Sequence, residues 1–185
     1  MYLPIEFVWH DDFAKFYFPV RILYYYWAMQ LKKFFYYTPF CFTTGAIIAS
    51  GLGYNGKTKD TNQDKWDKII SVYIWELETS TSPLDMLRYW NHMVHLWLKY
   101  YIYGRLVEPG KRPKQWHNMA TFVVSAFWHG FYPFYYLMFF IAALLSEVAK
   151  DLYKARVFFR FIPAALRPIV ANLISMVAMD YLGIL

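Results

Sequence analysis

Between Gln115 and Ser146 the chain carries no Asp, Glu, Lys or Arg, and near the middle of that run stands His129. An ionisable side chain inside so apolar a stretch is costly, which marks it as a candidate for function. Apolar surroundings disfavour imidazolium, so the ring is expected to rest neutral. A neutral imidazole can take a proton from a hydroxyl and serve as a general base. The structural alternative is a packing histidine that hydrogen-bonds a neighbouring polar group.

Other chemistries are poorer fits. Ser125 lies one helical turn before His129, but no Asp or Glu is near in sequence and no nucleophile elbow surrounds it. Serines in apolar helices usually bond back to the carbonyl one turn earlier. A metal site wants a histidine cluster, and the chain offers one close pair, His92-x-x-His95, without an H-E-x-x-H motif. No metal is expected. Cys41 is the single cysteine, so no intramolecular disulfide framework exists, and a buried thiol is expected. Gly51-Leu-Gly-Tyr-Asn-Gly56 has the wrong spacing and context for a dinucleotide loop and reads as a tight turn at a membrane exit.

The elements that must position His129 are apolar and aromatic. Of 185 residues, 58% are hydrophobic and 23% aromatic, against 17% charged. A soluble fold of this size cannot hide so much aromatic surface, whereas a bilayer and its interfaces can. The net charge of +6 is spread over short loops, which suits cytosolic loops facing anionic lipid. No nucleic-acid partner is expected, since no basic arm or base-stacking motif appears.

In chain order, Phe13–Leu31 reads as a span or an interfacial amphipathic helix, and Lys32-Lys33 closes it. Phe34–Gly56 is charge-free and reads as a second span. Lys57–Lys68 is a polar loop. Ser82-Pro83-Leu84-Asp85 starts a helix with a cap, a proline at its first position and an acid in its first turn. That helix is expected to run from Pro83 to about Tyr103 and stop at Gly104. It places Asn91, His95 and Leu98 on one face, with Arg88, His92 and Lys99 along a flank. Gly104–Lys114 carries Arg105, Lys111, Arg112 and Lys114, a solvated face or a phosphate contact. The long apolar run follows, and Pro133 is expected to kink or break it. Glu147–Arg167, with Lys150, Lys154, Arg156, Arg160 and Arg167, reads as an amphipathic linker, and Ile169–Leu185 as a last apolar run interrupted by Asp180. The fold class is all-α: a polytopic integral membrane protein with several transmembrane helices plus amphipathic interfacial helices, forming a single membrane domain over residues 1–185.

Two motifs fall in order. Trp90-Asn91 is followed, 38 residues after the Asn, by the histidine of Trp128-His129-Gly130. Arg88-Tyr-Trp-Asn91, Trp97-Leu-Lys-Tyr-Tyr-Ile-Tyr103 and Ser125-Ala-Phe-Trp-His-Gly-Phe-Tyr-Pro133 together resemble the membrane-bound O-acyltransferases, in particular their lysophospholipid acyltransferase branch. Lys33-Phe-Phe-Tyr-Tyr37 and the Gly51–Gly56 run resemble that branch too. The likeness covers the chain from about residue 13 onward.

The resemblance implies a catalytic pair, His129 and Asn91, with Trp90, Trp128, Tyr132 and His95 lining the substrate cavity. It implies acyl transfer from acyl-CoA, as co-substrate and without a further cofactor, to a lysophospholipid taken from the bilayer, in the endoplasmic reticulum membrane. Other lipid alcohols or a protein serine are alternative acceptors. Phe134 departs from the glycine that often follows the proline in this branch. The acidic, Trp-rich motif of the sterol and diacylglycerol branch is absent. Family members are also much longer, so the chain reads as a C-terminal catalytic portion with N-terminal spans absent, or as a non-catalytic membrane remnant.

Overall fold

The paired lysines at 32 and 33 do not interrupt a helix. Lysine is a good helix former, and its long stem can carry the charge sideways to polar surroundings. A computed structural model describes residues 4–154 and 161–184. It runs one helix straight through both lysines. After a 3-10 turn at Ile5–Trp9 and a short helix α1 (Asp11–Ala14), α2 spans Phe18–Ala49, 32 residues with Pro39 inside it. The two segments expected on either side of Lys32-Lys33 are therefore one element, about 48 Å long at 1.5 Å per residue. Cys41, expected to be buried, is exposed on this helix.

The chain divides into two compact units, one ending at Ile69 and one running Ile70–Gly183. In the first, Phe7, Phe13 and Tyr24 form an aromatic cluster at the start of α2, and the Tyr24 hydroxyl donates to the Pro4 carbonyl at 2.9 Å. The segment after α2 is the tight turn that its glycines suggest. Gly51 and Gly56 take positive φ, which glycine adopts without a Cβ clash. The polar loop beyond is an ordered hairpin. Asn55 N–H donates to Lys65 O, and Lys65 N–H to Gly56 O, both at 2.8 Å. Tyr54 and Trp66 meet edge to face across it.

The second unit carries α3 (Ile74–Glu78), α4 (Pro83–Tyr89), α5 (His92–Trp97), a π-helix (Leu98–Tyr103), α6 (Gly104–Leu106), α7 (Gln115–His129), α8 (Pro133–Lys154) and α9 (Arg167–Ile184). Ser82 caps α4 as expected, its side chain accepting from Leu84 N–H at 3.2 Å. The single helix expected over residues 83–103 is instead broken at Trp90-Asn91 and widened to π geometry from Leu98. Asn91 sits at φ 44°, ψ 53°, a left-handed conformation that no α-helix can pass through. The run from Gln115 breaks where Pro133 predicts, between α7 and α8, and these two helices form the most extensive packing in the unit. Glu147 to Lys154 continues α8 rather than forming a linker. Arg156, Arg160 and Leu185 lie outside the described residues.

The unit buries Val72, Leu77 and Met86 around α3 and α4, but the contact between its two long helices is different. Between α7 and α8 the buried positions are small or polar: Ser125, Ala126, Ala142, Ala143 and Ser146, with Ala126 and Ala143 at 0% exposure. The outward positions are large and apolar: Val123, Phe127, Phe140 and Leu144 are 46–61% exposed. In α9, Ser175 and Asp180 are buried together with Met176 and Leu182, while Leu173, Ile174 and Val177 face outward. Leaving such a side chain in water forgoes about 1.5–3 kcal/mol each. Small residues at helix contacts with large apolar ones outside is the packing of helices in lipid. By length and composition, one helix among the described residues suffices to cross a bilayer, over Pro133–Leu152.

Candidate active site

His129 is the last residue of α7, and its ring position follows from that helix end. Nδ1 lies 2.7 Å from the Ser125 carbonyl oxygen, one turn back. A carbonyl only accepts, so Nδ1 carries a hydrogen and Nε2 is the nitrogen left for another partner. Ser125 thus serves His129 through its backbone, and its hydroxyl is not the partner. The ring packs against Phe139 at 4.7 Å and Tyr135 at 6.0 Å, both on α8, and meets Trp128 edge to face at 4.8 Å. Tyr132 reaches the same corner through Tyr135, with ring centroids 5.6 Å apart. The side chains of Trp128, His129 and Tyr132 are all exposed on this chain. The apolar enclosure expected for the histidine is therefore not supplied by the described residues. The helix ends at His129 because Gly130 follows at φ 116°, ψ −169°, a conformation reserved in practice for glycine.

Asn91 occupies a second corner. Its carbonyl accepts from His95 N–H at 3.1 Å, and the next N–H, of His92, donates to Ser71 O at 2.8 Å. The left-handed turn is a conformation Asn tolerates better than most residues. His92 Nδ1 donates to Arg88 O at 2.9 Å, and its ring meets Tyr73 edge to face at 4.9 Å. His95 stacks on His92 at 6.4 Å. Half-buried, His95 has its pKa lowered to about 4, first by burial and then by the positive charges of His92, Arg88 and Lys99.

The structure thus gathers Trp128, His129 and Tyr132 at one corner and Trp90, Asn91 and His95 at another. Neither Asn91 nor His95 hydrogen-bonds His129. The elements flanking the Asn91 corner pack on those of the His129 corner: α4, before it, lies on α8, and the π-helix, after it, lies on α7. Among the described residues, no group of three or more His, Cys, Asp or Glu stands close enough to hold a metal ion. Motif reading missed Tyr135 and Phe139, which set the His129 ring, and Ser71, which ties down the Asn91 corner. Tyr135 and Phe139 lie six and ten residues beyond His129, and only the chain reversal at Gly130 brings them back to it. Ser71 carries no signal in sequence at all.

Helices among the described residues that bury small and polar side chains at their contact and expose large apolar ones have the make-up of a membrane protein. The model of the membrane-bound O-acyltransferase family matches residues 2–182, and the chain belongs to that family. It is 37% identical over 150 residues to the lysophospholipid acyltransferase of Saccharomyces cerevisiae, covering 80% of this chain and 24% of that protein. Lysophospholipid acyltransferase 2 of Arabidopsis thaliana is 37% identical over 135 residues, covering 72% of this chain and 29% of that protein. Human membrane-bound glycerophospholipid O-acyltransferase 1 is 35% identical over 134 residues, covering 72% and 25%. The chain therefore spans about a quarter of the length of these relatives.

Proposed function

We propose that this chain carries the catalytic corners of a lysophospholipid O-acyltransferase that takes its acyl group from acyl-CoA. The observation that carries the reading is the hydrogen bond from His129 Nδ1 to the Ser125 carbonyl. With Nδ1–H held by Ser125 O, Nε2 is the nitrogen left to act as the base at the corner of an apolar hairpin. Nε2 takes the proton of the lysolipid hydroxyl, whose oxygen attacks the thioester carbonyl. The tetrahedral intermediate then expels the CoA thiolate, which receives the proton back from Nε2. No acyl-enzyme forms, and the steps need no metal or organic cofactor. Asn91 offers an amide that can donate to the developing oxyanion or orient the acceptor. In this reading the substrates bridge the two corners, and Trp90, Trp128, Tyr132 and His95 wall the cavity. The protein sits as a multi-pass protein in the endoplasmic reticulum membrane, and Arg105, Lys111, Arg112 and Lys114 face the CoA phosphates from the cytosolic side.

Support comes from the family membership and from the names of the relatives, several of which are lysophospholipid acyltransferases. The test is acyl transfer by microsomes expressing the chain, with labelled acyl-CoA and a panel of lysophospholipids, other lipid alcohols and a serine peptide. Labelled diacyl phospholipid is expected, lowered about 10²–10⁴-fold in His129→Ala. Near-normal activity in that variant removes His129 from the site. Product on the peptide or another alcohol replaces the acceptor, and no product on any of them makes this chain a non-catalytic portion.

A further inference from the structure

The face of α7 that ends in His129 begins with Asn118. Asn118, Ser125 and His129 fall at i, i+7 and i+11, one stripe of the helix. Asn118 uses both hydrogens of its amide across the helix pair. Nδ2 donates to Ser146 Oγ at 2.6 Å and to Glu147 Oε1 at 2.8 Å. A carboxylate only accepts, so the amide cannot be turned the other way. Each acceptor is itself pinned: the Ser146 hydroxyl donates to Ala143 O at 2.7 Å, and Glu147 Oε1 accepts from Lys150 Nζ at 2.6 Å. Asn118 thus ties α7 to α8 directly, side chain to side chain.

The small residues of that interface give no such direction. Ala126, Ala142 and Ala143 let the helices approach closely, and Asn118 adds a directional polar tie to that contact. At the other end, Gly130, Phe131 and Tyr132 close the hairpin with a short turn. The His129 ring takes its setting from Phe139 and Tyr135, so a slip of α8 moves that setting directly. A slip of one residue is about 1.5 Å, and a misplacement of about 1 Å at a catalytic group can cost about 10²-fold in rate.

We infer that Asn118 is a positioning residue for the acyl transfer: its clasp on Ser146 and Glu147 locks the register of α7 on α8 and thereby aims His129. This rests on the proposed role of His129 as the base. The clasp can be broken without changing bulk by Asn118→Leu or Asn118→Asp, the latter setting a second carboxylate against Glu147. It can be rebuilt with donor and acceptor exchanged in Asn118→Asp/Glu147→Gln. There the new amide at position 147 donates to the new carboxylate at position 118, and its oxygen faces Lys150.

Two readouts on the whole chain decide the matter. Steady-state kinetics should show kcat lowered at least about tenfold in each single variant, with KM for acyl-CoA and for lysophospholipid within about twofold, and recovery in the double variant. Independently of activity, the histidine ring resonances of the chain in micelles, assigned for His129 with His129→Gln, should move in both single variants and return in the double. That signal reports the Phe139 and Tyr135 rings beside His129. Unchanged kcat and an unmoved resonance overturn the inference, as does a matched loss of kcat and rise in KM that the double variant does not repair. If the wild-type chain transfers no acyl group, the proposed function fails, and the resonance alone decides whether Asn118 positions His129.

Discussion

At Asn91 the backbone and the side chain make separate demands, and substitutions can separate them. The left-handed turn at φ 44° costs an ordinary L-residue about 1–2 kcal/mol, whereas glycine takes it freely. Asn91→Gly should therefore keep the corner and lose only the amide. Asn91→Ala should lose the amide and strain the turn as well. If the amide acts in catalysis, both variants lose turnover, and Asn91→Ala also lowers the thermal midpoint. Loss of activity in Asn91→Ala alone would reduce Asn91 to a turn former.

His95 gives the same corner a pH dependence. Its folded pKa of about 4 lies below the ordinary 6.5. The unfolded chain thus binds a proton between those values that the folded chain refuses. Stability is full above about pH 6.5 and falls as the pH drops toward 4. His95→Gln should flatten that part of the profile, read as the difference in thermal midpoint between pH 7 and pH 5 in micelles.

Among the elements, the hairpin corner is the most sensitive joint. Gly130 has open space where a Cβ would stand, so only its φ of 116° resists substitution. Gly130→Ala should cost about 1–3 kcal/mol through the backbone alone. It should reduce acyl transfer by disturbing the turn that follows His129, while a change to alanine at Gly45, inside α2 with φ in the ordinary range and open space around it, should leave transfer unaltered. The break itself was legible, because proline cannot continue a helix. The break at Trp90-Asn91 was not. Its flanking residues are all compatible with a helix, and the His92 N–H bond to Ser71 that accompanies the turn comes from a segment about twenty residues earlier. The continuity of α2 was missed for the converse reason: a lysine pair reads as a boundary in a hydropathy pattern, although its backbone preference is helical.

For the whole molecule, the inverted surface makes a direct prediction about solvent. Val177 is 58% exposed on α9, on the side of the helix away from the buried Ser175. A charge there meets lipid if α9 lies in the bilayer, at about 2.5–3.5 kcal/mol for a central arginine on insertion scales. Val177→Arg should therefore lower the fraction of chain resistant to alkaline extraction from membranes. An unchanged fraction would show that this face of α9 meets water or protein.

The residue types alone determined the class of this chain. An aromatic-rich composition, a long charge-free run and the Pro133 break point to a helical membrane protein, because these are local properties of composition and spacing, and two motifs 38 residues apart carry the resemblance to the membrane-bound O-acyltransferases. Only the tertiary structure decided the hydrogen bond of His129 Nδ1 to Ser125 O, the left-handed turn at Asn91 and the clasp of Asn118 on Ser146 and Glu147. Each depends on a hydrogen bond or ring contact whose geometry exists only once the helix has ended, turned or met its neighbour. Asn118 and Glu147 are 29 residues apart, and no periodicity connects them until the chain reverses at Gly130.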